Sequence, residues 1–137
     1  MWYLEVSYTY GHDLVSQNRN NIIHDYHYDG LGSARFLSDE SGTLTDSYDY
    51  EAFGKLINKE GNTSNNYLYT GEQYDAETQN YYLRARYFSP SIGSFTQQDT
   101  YMGNNQDPIS LHKYLYANAN PSNMIDPSGR VSMMKFL

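Results

Sequence analysis

Residues 26–32 read Tyr26-His27-Tyr28-Asp29-Gly30-Leu31-Gly32, and residues 48–54 read Tyr48-Asp49-Tyr50-Glu51-Ala52-Phe53-Gly54. The two stretches are near copies. A third Tyr-x-Tyr pair, Tyr67 and Tyr69, is followed by Gly71, so the pairs recur about every twenty residues. In a strand, residues two apart share a face, so both rings of a pair point one way while His27, Asp49 or Leu68 points the other. A recurring aromatic stripe of this kind is a packing face, and one unit cannot bury it alone. Turn-forming runs separate the units: Asp39-Glu40-Ser41-Gly42, Lys59-Glu60-Gly61-Asn62, Asp75 to Asn80, and Ser89-Pro90-Ser91-Ile92-Gly93. The strands expected from this punctuation are 23–28, 33–38, 43–51, 54–59, 66–70, 80–88 and 94–97, an all-β chain of consecutive antiparallel hairpins. One short helical turn is expected near 108–116. There Asp107 precedes Pro108, and Leu111, Tyr114 and Leu115 fall at helical spacing.

Composition limits the function. Of 137 residues, sixteen are Tyr against five Phe and one Trp, so the core must be built from rings whose hydroxyls need partners. Nine Lys and Arg against sixteen Asp and Glu give a net charge of −7, the wrong sign for a sequence-blind grip on phosphate backbones. Nucleic acid is therefore not expected as a partner. The absence of cysteine excludes disulfides and thiolate chemistry. His12, His24, His27 and His112 have no metal-ligand spacing, so neither a metal nor another cofactor is expected. Gly30-Leu31-Gly32 lacks the third glycine and following helix of a dinucleotide loop and reads as a hairpin turn. No apolar stretch approaches the ~20 residues of a membrane span, and the first residues lack the pattern of a signal peptide. Unpaired sheet edges would invite self-association.

Further motifs follow in a fixed order: Tyr-Thr-Gly-Glu-Gln-Tyr-Asp-Ala-Glu-Thr (69–78), Tyr-Tyr-Leu-Arg-Ala-Arg-Tyr-Phe (81–88) and Gln-Asp-Thr-Tyr-x-Gly (98–103). Ser-Leu-His-Lys-Tyr-Leu-Tyr (110–116) and Asn-Pro-x-x-x-x-Asp-Pro-Ser-Gly (120–129) complete the series. Together with the repeats, these runs resemble the repeat-associated core of the tyrosine-aspartate (YD) repeat and rearrangement-hotspot (Rhs) proteins. The likeness covers about residues 24–129. The Gln-Asp-Thr-Tyr variant is most similar to wall-associated versions in Gram-positive bacteria. The resemblance implies a large secreted or cell-surface polymorphic-toxin parent, whose repeats wind into a β-shell around a C-terminal toxin. The core segment would close that shell as a plug. It divides the chain into a lead-in strand region (1–23), YD-type hairpins (24–95), a core or plug segment (96–130) and a tail (131–137) without cargo. On this reading the chain is a fragment or orphan remnant, and its partners are the rest of the shell and the toxin.

In several members of the family the core also cuts its own chain after the Asp-Pro-x-Gly motif, in the manner of an aspartic protease. The matching positions here are Asp99 and Asp126, and the bond at issue is Arg130–Val131. Position 130 is Arg where self-cleaving members usually carry an apolar residue. Such chemistry needs two carboxyls close together, one to activate water and one to polarise the scissile carbonyl. The plainer reading makes both aspartates turn residues. The structural residues expected are Tyr26, Tyr28, Tyr48, Tyr50, Tyr67, Tyr69, Tyr81 and Tyr87. Arg84 and Arg86 are expected on one strand face with Tyr82 and Phe88, stacking on rings and forking onto carboxylates. A carbohydrate-binding surface on the Tyr-rich faces is the remaining alternative.

Overall fold

The computed structural model describes residues 6–134; the start of the lead-in region and the end of the tail lie outside the described residues. Six strands form one antiparallel sheet in chain order: β1 (Val6–Tyr10), β2 (Leu14–Arg19), β3 (Ile22–Tyr28), β4 (Ala34–Ser38), β5 (Leu44–Tyr50) and β6 (Leu56–Glu60). A second sheet contains β7 (Gln73–Asp75), β8 (Asn80–Leu83), β9 (Arg86–Ser89) and β10 (Ser94–Phe95). β11 (Met124–Ile125) and β12 (Met133–Met134) close the described chain as a small hairpin. Short 3-10 turns at Tyr69–Gly71, Pro108–Leu111 and Ala117–Ala119 are its helical elements. No described helix is long and apolar enough to cross a membrane.

Why the repeats make hairpins is visible at their turns. Asp29 accepts at Oδ1 the amides of Leu31 and Ser33, each at 3.0 Å, and Gly32 closes the turn at a φ of +83°. Asp39 does the same for Ser41 and Thr43 ahead of Gly42. The carboxylate supplies the acceptor, and glycine supplies the left-handed backbone. Bulges at His27/Tyr28 and Asp49/Tyr50 place the second Tyr of each pair just before its turn, where they add twist.

Both Tyr-x-Tyr pairs in the six-stranded sheet face inward as their spacing predicts. Tyr26 and Tyr48 are buried, Tyr28 and Tyr50 half-buried, and the Tyr26 and Tyr28 rings stack 6.0 Å apart. The hydroxyls of Tyr28, Tyr50 and, further along, Tyr69 reach backward. Tyr28 donates to the Leu14 carbonyl at 2.7 Å, Tyr50 to Ala34 at 2.7 Å, and Tyr69 to Ala52 at 2.8 Å. In each case the acceptor lies in the preceding hairpin.

The expected strand 66–70 is not one. Tyr67 makes a lone bridge to Gln73, and Tyr69 sits in a 3-10 turn with Thr70 at a φ of +51°. Here the chain leaves one sheet for the other, and Tyr69 lies over Gly54, where a Cβ would come within 2.4 Å of its ring. The Ala34 amide donates to Leu68, and the Thr70 amide to Ser33 Oγ, which ties the junction to β4.

The expected strand 80–88 is instead a hairpin, β8 and β9, turned by Arg84-Ala85. This moves its residues. Tyr81 pairs with Phe88 on the buried side, while Tyr82 pairs with Tyr87 on the outer side, where Tyr87 is 39% exposed. Arg84 and Arg86 therefore do not share a strand face. Arg84 occupies the turn and is exposed, whereas Arg86 is buried. Around 108–116 the helical turn is confined to Pro108–Leu111. Leu111 and Tyr114 are exposed, so their spacing with Leu115 marks no apolar helix face.

The core is a chain of rings from the sheet junction into the second sheet. Tyr69 lies 5.9 Å from Tyr81 and 6.4 Å from Tyr116, and Tyr116 packs on Phe88 at 4.2 Å and Phe95 at 5.8 Å. Burial pushes the phenol groups of Tyr26, Tyr50, Tyr81 and Tyr116 far above their ordinary 10.0, and those of Tyr67 and Tyr69 to about 12. A phenol that ionises later in the folded state contributes stability below pH 10 that is lost as pH rises through its folded value. Melting by circular dichroism is expected to be flat up to pH 9 and to fall steeply from 10 to 12, with tyrosinate absorbance rising in the same step. Ionisation of most tyrosines near pH 10 with the fold intact would contradict the buried-ring core.

Candidate functional site

Asp126 opens a turn of the same kind as those of the repeats. Its Oδ1 accepts the amide of Arg130 at 3.0 Å, four residues on, as Asp29 accepts Ser33 and Asp39 accepts Thr43. Gly129 takes the left-handed position at a φ of +74°. Two features set this turn apart. Oδ1 also accepts the amide of Val131 at 3.1 Å, and the carboxyl is 2% exposed.

The β8–β9 turn holds it there. Ala85 donates its amide to the Ser128 carbonyl at 3.3 Å, and Arg84 Nη1 donates to Pro127 at 3.0 Å. Arg86 Nε donates to Gly129 at 2.5 Å. Gly129 approaches so closely that a Cβ would lie 2.1 Å from the Leu83 carbonyl oxygen, so no side chain fits.

Asp99 comes from the other side, beyond β10. Its amide donates to the Lys113 carbonyl at 2.9 Å, the same oxygen that accepts Arg86 Nη1 at 2.9 Å, and its Oδ1 accepts the Tyr101 amide at 3.0 Å. Arg86 Nη2 then lies 3.6 Å from Asp99 Oδ2 and 3.6 Å from Asp126 Oδ2. The two carboxylates named from the sequence thus converge on one guanidinium nitrogen. That guanidinium is 5% exposed in its side chain and lies over the Phe95 ring, 3.5 Å from its centroid. Desolvation by burial lowers the Arg86 affinity for its proton, and the two carboxylates oppose the effect. Burial likewise raises the Asp126 pKa, against Arg86 and the amides of Arg130, Gly129 and Val131.

A cavity of about 360 Å³ opens beside this cluster, lined among others by Asp99, Tyr101, Asp107, Asp126, Arg130 and Val131. It has room for water next to the Arg130–Val131 bond. Chemically, the arrangement sets a buried carboxyl against the amide nitrogen of that bond, with a second carboxylate held at a fixed separation by a shared cation. The two carboxyls and Arg86 form a carboxylate–guanidinium–carboxylate bridge.

Arg86 is the functional residue that sequence reasoning placed wrongly. The run 81–88 contains no Gly, Pro, Asn or Asp to mark a turn, and Arg84 supplies the left-handed backbone, at a φ of +55°, that those residues usually provide. A usable signal was present in the recurrence of Asp-x-x-Gly at 29, 39 and 126, which assigns Asp126 to a hairpin turn with its carboxylate directed at the following amides.

No family model matches the chain. Over 128 residues, 90% of its length, it is 39% identical to the tRNA3(Ser)-specific nuclease WapA of Bacillus spizizenii. Over 128 residues it is 38% identical to the tRNA(Glu)-specific nuclease WapA of Bacillus subtilis subsp. natto. In each case the match spans 6% of the relative's length. Among solved structures, the TcdB2-TccC3-Cdc42 crystal structure superposes on 93% of the chain with a TM-score of 0.80 at 22% identity, covering 6% of that chain. The hairpin repeats, the ordered core motifs and these likenesses agree, and the chain belongs to the Rhs/YD-repeat family as a repeat-associated core segment.

Proposed function

We propose that this chain is the closing segment of a YD-repeat shell, the part that joins the repeat wall to a C-terminal toxin and keeps that toxin enclosed in a secreted or surface parent. The observation that carries the reading is that one segment recurs in two nucleases named for different tRNAs. A region common to proteins with different targets suits a scaffold better than a target-reading domain. The physical support is a six-stranded antiparallel sheet in chain order, followed by a second sheet whose β8–β9 turn ties down the Asp126 turn. The test is a chimera in which this chain replaces the 128 matching residues of WapA. Its C-terminal domain is expected to resist added protease as well as in the unmodified parent. Rapid digestion of that domain in an otherwise folded chimera would contradict the proposal.

A second reading is favoured by one specific contact, the hydrogen bond from the Val131 amide to Asp126 Oδ1. In this reading the chain hydrolyses its own Arg130–Val131 bond. Asp99 takes a proton from a cavity water as its oxygen bonds to the Arg130 carbonyl carbon. In molecules that carry Asp126 protonated, a form that burial favours, this acid delivers its proton to the Val131 nitrogen as the C–N bond breaks. The products are a carboxylate at Arg130 and an amine at Val131, and Arg86 holds the two acids in place. Purified protein is expected to lose residues 131–137 by intact mass, and Asp99→Asn or Asp126→Asn to slow that loss by at least ~100-fold. A wild-type chain that remains whole for days at every pH from 4 to 8 would remove this reading and leave the scaffold.

A further inference from the structure

Glu72 is a carboxylate that neither the hairpin packing nor the proposed chemistry requires. It is 8% exposed, at the junction where the chain passes from the six-stranded to the four-stranded sheet. Its backbone is pinned on both sides: the amide donates to the Tyr69 carbonyl at 3.0 Å, and the carbonyl accepts the Leu68 amide at 3.1 Å. A buried carboxylate needs a partner, and Glu72 Oε2 takes the Arg84 Nη1 group in a close ion pair. The same Nη1 donates to the Pro127 carbonyl. One nitrogen therefore links a fixed, buried anion at the sheet junction to the second residue of the Asp126 turn. Arg84 itself is mostly exposed and left-handed in its backbone, and these two acceptors orient its side chain toward the turn.

We infer that Glu72 and Arg84 form a positioning clamp that fixes the Asp126–Val131 turn, setting the Asp126 carboxylate against the amide of the Arg130–Val131 bond. Neither is a catalytic residue, since neither touches that bond; both act through the Pro127 carbonyl. The clamp works beside two other ties, the Ala85 amide on Ser128 and Arg86 Nε on Gly129, and supplies the one anchored outside the second sheet. Burial raises the Glu72 pKa, Arg84 opposes the shift, and Asp126 adds to it, which is the electrostatic mark of two acids in one neighbourhood. Through Tyr69, the clamp makes the geometry of the turn depend on whether the two sheets are docked. Its catalytic consequence rests on the self-cleavage reading; the holding of the turn does not.

The test uses the full chain as wild type and as Arg84→Met, Glu72→Gln and Arg84→Lys, with two readouts. The first is amide hydrogen exchange at Arg130 and Val131, measured with Asp99→Asn present in every sample so that the bond stays intact. Arg84→Met and Glu72→Gln are expected to speed exchange at these two amides by about tenfold, while the ladder amides of the six-stranded sheet keep their protection. Arg84→Lys, which retains a charged donor, is expected to restore most of the protection. The second readout is the rate of mass loss without Asp99→Asn, which the same two variants should reduce by about tenfold and Arg84→Lys should largely recover. Unchanged exchange at Arg130 and Val131 in both Arg84→Met and Glu72→Gln would overturn the clamp, as would an equal loss of protection throughout the sheet. A wild type that never cleaves, combined with selective loosening in the variants, would sink the self-cleavage reading alone and support the clamp.

Discussion

The hydrogen bond from a tyrosine hydroxyl to a backbone carbonyl of the preceding hairpin is the constraint on which the rest of the molecule depends. Antiparallel hairpins pair with their neighbours through the ladder, but a ladder alone fixes neither the twist nor the depth at which side chains sit. A packed ring that must also place its oxygen 2.7–2.8 Å from one carbonyl fixes both. Tyr28 on Leu14, Tyr50 on Ala34 and Tyr69 on Ala52 repeat that demand three times along the chain. Each bond also satisfies a polar group that burial would otherwise leave costly. The composition follows from this: a wall built on phenylalanine would bury similar area without choosing a position.

The same logic carries order from the wall to the C-terminal turn. Tyr69 belongs to the wall through Ala52 and Gly54, and to the second sheet through Tyr81 and Tyr116. Tyr116 reaches Phe88 and Phe95, and Phe95 forms the floor beneath Arg86. A guanidinium buried to this degree is tolerated because a ring face, two carbonyls and two carboxylates surround it. The acids and the turn that carries Arg130–Val131 are thus held by the aromatic core itself, and the Glu72–Arg84 pair adds a further tie to the turn at Pro127.

How far the sequence could be read depended on whether a position obeyed a local rule or a tertiary one. Tyr26, Tyr28, Tyr48 and Tyr50 obey strand alternation, and the Asp29 and Asp39 turns carry their own acceptor and glycine, so these elements were legible. Arg84 breaks the local rule. A non-glycine residue takes a left-handed backbone there, its side chain held by Glu72 and Pro127, distant in sequence, and the apparent strand 80–88 is a hairpin. Tyr69 likewise leaves the strand pattern because it must turn the chain between two sheets. Of the candidate site, the family motif pointed to Asp99 and Asp126, but the cation between them came from a residue assigned to another face. Only the folded chain brings Arg86 to both.

Urea unfolding of single Tyr→Phe variants tests most directly whether the tyrosine hydroxyls hold the hairpins together. Tyr28→Phe, Tyr50→Phe and Tyr69→Phe each keep the ring and strand one carbonyl, and each is expected to lower the unfolding free energy by about 1–2 kcal/mol. Tyr82→Phe, on the outer face, is expected to stay within about 0.5 kcal/mol of the wild type. If all four variants unfold at the same urea concentration as the wild type, the hydroxyl contacts do not hold the hairpins together and the account fails.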